Sequence, residues 1–70
     1  MLQLDETTFA VQKGSPDGNI YVLLAAAQKA VRRTAGREAV EQMLQEVQNA
    51  ESYEEALAVI QKYGITFIFL

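Results

Sequence analysis

The chain has 70 residues, half of them hydrophobic and 21% charged, with 4 Gly and 1 Pro; this excludes a disordered tail or a fibrous repeat and leaves one small domain, residues 1–70. It holds no Cys and no His, which removes disulfide staples, thiolate or imidazole metal sites and the usual general base. With 6 basic against 9 acidic side chains the net charge is −3, so general nucleic-acid binding through whole-surface charge is not expected.

Leu2 and Leu4 alternate with Gln3, and Phe9 and Val11 with Ala10 and Gln12, the two-residue period of a half-buried strand. Asp5-Glu6-Thr7 reads either as a turn between two short strands or as a bulge in one longer strand. Gly14-Ser15-Pro16-Asp17-Gly18 is the clearest loop. Asn19 then predicts a helix cap, and Ile20, Leu23, Leu24, Ala27 and Val31 form one apolar stripe. Tyr21, Val22, Ala25 and Ala26 carry apolar surface round the other side, which predicts a helix buried on all sides and therefore shared with a second copy. Gly36 is expected to end it in a left-handed cap.

Arg37 to about Ala50 predicts an amphipathic helix with Val40, Met43, Leu44 and Val47 inward. Ser52-Tyr53-Glu54-Glu55 is a capping box that opens a third helix with Tyr53, Ala56, Leu57 and Ile60 inward, stopped by Gly64. Ile65–Leu70 reads as a strand apolar on both faces, best placed in the middle of a sheet or at a subunit junction. The expected fold is α+β: an N-terminal strand or hairpin, three helices and a C-terminal strand. Met1–Glu6 lacks the basic start and apolar core of a signal peptide, and the run Ile20–Ala27 is too short to span a bilayer, so a soluble cytoplasmic protein without membrane contact is expected.

Catalytic residues are not predicted. Ser15 lies in the loop, Ser52 is taken by a cap, and no His is present to activate either. The carboxylates Glu51, Glu54 and Glu55 suit the positive end of a helix, and neither a metal nor a cofactor is expected. The positive charges carry more information, because Lys29, Arg32, Arg33 and Arg37 crowd together, with 29, 32 and 33 on one helical side. One reading is a favourable helix end; the other is an anion site in which guanidinium forks hold phosphate or carboxylate. The backbone donors at Gly18-Asn19-Ile20 offer a second anion seat, and Tyr21 is placed either to pack or to stack on a planar ligand.

The run Gly18-Asn19-Ile20-Tyr21-Val22-Leu23-Leu24, the acidic second helix and Ser52-Tyr53-Glu54-Glu55-Ala56-Leu57 with Tyr63 resemble a group of small phage-encoded accessory proteins. The resemblance implies a protein that blunts a bacterial defence, acting in the host-cell cytoplasm, and it transfers no functional residues. The function expected from the residues is a non-enzymatic homo-oligomer that sequesters an anionic, nucleotide-type ligand between subunits. Asn19, Tyr21, Lys29, Arg32, Arg33 and Arg37 are its candidate ligand-binding residues. The alternative is an inhibitor that binds a host protein directly through its acidic helices (Glu41, Glu46, Glu54 and Glu55) or its apolar helix face.

Overall fold

The two ends of the chain meet in one sheet. In the computed structural model, which describes residues 1–70, β2 (Thr8–Val11) is the middle strand. On one side β1 (Leu2–Gln3) pairs with it antiparallel, Leu2 opposite Ala10 and Gln3 opposite Phe9. On the other β3 (Thr66–Phe69) lies parallel, in register from Thr8 opposite Thr66 to Val11 opposite Phe69. The connection between β2 and β3 is a short 3-10 turn, Pro16–Gly18, followed by α1 (Ile20–Ala35), α2 (Arg37–Gln48) and α3 (Tyr53–Lys62). The molecule is therefore the α+β domain expected, and its 15 Å thinnest dimension accommodates one helical layer on one sheet.

Residues 5–7 form the turn rather than the bulge. The Asp5 carboxylate accepts from the Thr7 amide at 2.9 Å, and that hydrogen bond holds its pKa below the ordinary value. Phe9 and Val11 then point from β2 to the helices, and the Phe9 ring lies 5.8 Å from that of its register partner Phe67. Around them Leu23, Ala27, Ala30 and Val31 of α1, Met43 of α2, Ile60 of α3 and Ile65 close the core. No helix is long and apolar enough to cross a membrane.

The helix ends form for local reasons. The Asn19 side chain accepts from the Tyr21 amide at 2.8 Å and starts α1. The Ser52 hydroxyl accepts from the Glu55 amide at 3.0 Å, while the Glu55 carboxylate returns to the Glu51 amide, one residue earlier than a regular capping box. Gly36 has positive φ as expected, but its ψ of 175° is extended, not left-handed helical. That geometry turns the chain directly from α1 into α2 through a single residue.

Three expectations change. β3 is an edge strand instead of a central one, because β1 and β3 take the two sides of β2; Ile68 and Leu70 stay exposed. Helix α1 is not covered all round: Leu23, Ala27, Ala30 and Val31 are buried and Ile20 and Leu24 pack beside them, whereas Tyr21, Val22 and Ala25 are exposed. One chain thus hides the large aliphatic side chains of α1. Tyr53 turns outward at the start of α3, where its hydroxyl donates to the Gly18 carbonyl at 2.8 Å.

Helices α2 and α3 are joined by a polar clasp. Glu46 meets the Lys62 ammonium and accepts from the Tyr63 hydroxyl at 2.7 Å, with Lys62 also 5.7 Å from the Tyr63 ring. Lys62, then Tyr63, holds the Glu46 carboxyl below its usual pKa, while Glu46 raises both partners. The carboxylate's contribution to stability is therefore present above its unfolded pKa and lost as pH falls through the lowered folded value. The contributions of Lys62 and Tyr63 are present below their unfolded values and lost as pH rises through the raised ones. Urea midpoints followed against pH should show Glu46→Gln losing part of the parent's decline below about pH 4.3. Superimposable acid limbs would refute this assignment.

Candidate functional site

Lys29 and Arg33 are one helical turn apart and emerge on the same side of α1, beside Ala26 and Ala30. Alanine at those two positions leaves space where a longer side chain would fill the gap between helix and sheet. The result is a cavity of about 280 Å³, bordered by Lys29, Arg33 and Gln3 and floored by Phe9, Ala26 and Ala30, with Met1 at its edge. Gln3 points inward from β1 opposite Phe9, so a polar amide shares the wall with the two cations.

No acidic partner neutralises either cation: the ion pairs of the molecule are the amino terminus with Asp17, Arg37 with Glu41, and Lys62 with Glu46. Two unpaired cations above an apolar floor can hold an anionic head while an attached apolar or planar group lies against Phe9. Both serine hydroxyls serve the backbone elsewhere, Ser15 donating to the Gln12 carbonyl and Ser52 accepting at its cap.

The six sequence-predicted residues separate into groups. Lys29 and Arg33 share the cavity. Arg32 is exposed and does not line it, while Arg37 begins α2 and approaches Glu41 at 3.9 Å. Asn19 and Tyr21 lie at the opposite end of α1; at about 1.5 Å per residue, Tyr21 is roughly 18 Å from Arg33 along the axis. One small ligand cannot touch both ends within one chain.

The second anion seat, at the start of α1, is already occupied by its own cap. The Asn19 side chain takes the Tyr21 amide, and the Asn19 carbonyl takes those of Val22 and Leu23. Tyr21, 76% exposed, instead rims an apolar groove of about 620 Å³ walled by Leu24, Leu44, Val47 and Tyr53, with Glu51 its only charged residue.

Sequence reasoning did not identify Gln3, Phe9, Ala26 and Ala30 as cavity walls. Gln3 was the available signal, being a polar residue at the inward position between Leu2 and Leu4. Comparison with protein-family models, curated proteins and solved structures finds no match, so the functional reading rests on this geometry and on the residues that form it.

Proposed function

We propose that the protein is a non-enzymatic binding protein that captures a small anionic, nucleotide-type ligand and acts as a homo-oligomer. The observation carrying this reading is the pairing of two unneutralised cations, Lys29 and Arg33, over the apolar floor of one cavity. Guanidinium and ammonium groups would hold the phosphate, Gln3 would fix its orientation, and Arg32 and Arg37 would raise the local positive potential. The geometry favours a seat within each chain over one between subunits, since a single copy supplies every wall. Sequestration needs binding free energy and no bond breaking. The resemblance to phage-encoded proteins suggests the setting, removal of a bacterial defence signal.

Calorimetric titration with a nucleoside monophosphate and with inorganic phosphate tests this function. Lys29→Ala and Arg33→Ala should each weaken binding about tenfold or more, as expected for a charge-assisted hydrogen bond of about 1.5–3 kcal/mol, with unchanged melting. Arg32→Ala should change it much less. A parent protein that binds neither probe at millimolar concentration would exclude the anion reading.

A second reading, direct inhibition of a host protein, is favoured by the apolar groove beside Tyr21. The acidic faces support it less, because Glu46 is held by Lys62 and Tyr63, Glu55 by its cap and Glu41 by Arg37.

A further inference from the structure

We propose that two copies of this chain pack the outer faces of their sheets against each other, giving a dimer with helices outside and two sheets within. This deepens the homo-oligomer part of the proposed function and is independent of its ligand part. The helices cover only one side of the sheet. On the other, the register places Leu2, Ala10 and Ile68 in a row across all three strands, and Leu4 and Leu70 continue the surface. Leu2 is 63% exposed, Leu4 52%, Ile68 42% and Leu70 69%. Half of the molecule's exposed large hydrophobic side chains thus lie on this single face.

Three physical considerations make a second copy the occupant. First, β2 and β3 are parallel, and parallel strands are ordinarily covered on both faces. Second, each copy has a net charge of −3, so identical chains meet most readily on a neutral surface. The outward positions bordering the apolar row are Thr8 and Thr66, while the charged Asp5 and Glu6 lie beyond it in the turn. Third, the broad side of the molecule measures 31 × 28 Å. Overlap of two such sides over most of their extent approaches the ~800 Å² per partner of a standard interface. The competing arrangement, antiparallel pairing of two β3 edges, would leave Leu2 and Leu4 uncovered.

Sedimentation equilibrium of the full chain, without added ligand, separates the two arrangements. The parent should dimerise, and Leu2→Lys and Ile68→Lys should each weaken association about tenfold or more. Leu2→Gln, a milder change at an exposed position outside the core, should weaken it in the same direction. Circular dichroism should show each variant folded like the parent. A parent that stays monomeric up to about 0.5 mM overturns the proposal, as does a dimer insensitive to both lysine substitutions. Loss of association in Ile68→Lys alone also overturns it and assigns the interface to the β3 edge. Lys29 and Arg33 lie on the helical side, so Lys29→Ala and Arg33→Ala should leave the dimer intact. Failed phosphate binding by an intact dimer would end the ligand reading only.

Discussion

Met43→Ala should lower the thermal midpoint by at least about 10 °C, on the scale of 4–8 °C per kcal/mol for a domain of this size. Met43 is the only fully buried residue of α2 and sits among side chains from the sheet and both other helices. Truncating a buried methionine to alanine costs about 2–5 kcal/mol through lost burial and the cavity left behind. A chain of this length has only about 4–10 kcal/mol of total stability, so one side chain controls a large fraction of it. The exposed Gln42 on the same helix provides the control, since Gln42→Ala should change stability by less than about 0.5 kcal/mol. Equal midpoints for the two variants would show that α2 is anchored by its half-buried residues instead.

Gly36→Ala is the second large effect and arises without any steric contact. A methyl group added at Gly36 would meet nothing within 4 Å, so packing predicts no penalty. The backbone does: φ is 92° and ψ 175°, a region essentially restricted to glycine, which costs an L-residue about 1–3 kcal/mol. Because this residue is the whole connection between α1 and α2, relief of the strain would tilt one helix against the other. A D-alanine at position 36, accessible by chemical synthesis, adopts positive φ freely. It should stabilise the protein by about 0.4–1 kcal/mol by restricting the unfolded chain. If the L- and D-variants melt together, backbone conformation is not what the position selects for.

Much of the helical layer was legible because its signals are local. Asn19 and Ser52 act as caps within a few residues of themselves, and the stripe containing Leu23, Ala27 and Val31 needs only helical spacing to be read. The sheet was legible only as strands. Ile65–Leu70 is equally apolar whether central or marginal, and its place depends on which side of β2 is still free after the turn at residues 5–7. At Gly36 the sign of φ could be read from the residue type, but ψ depends on the direction in which α2 must leave.

The candidate site follows the same division. The spacing of Lys29 and Arg33 marks a shared helical side, yet whether Arg32 or Arg33 borders a cavity depends on where β1 falls, which no local pattern contains. The separation of Tyr21 from the cations was available from helical rise alone, and it argues against a single seat using both. Tyr53 was misplaced because its position in the stripe is inward in spacing, while its hydroxyl finds a partner in the Gly18 carbonyl at the surface.

The parallel pairing of β2 with β3 has a consequence for biosynthesis. Thr8 cannot find Thr66 until nearly the entire chain has been translated, so the ribosome must deliver three helices before the first long-range ladder can close. At about 5–20 residues per second that interval lasts roughly ten seconds or less, during which Phe9 and Val11 have no partner from the carboxyl end. A message truncated shortly before codon 66 would therefore yield a nascent product with helices but no completed sheet, a natural substrate for chaperones and proteases.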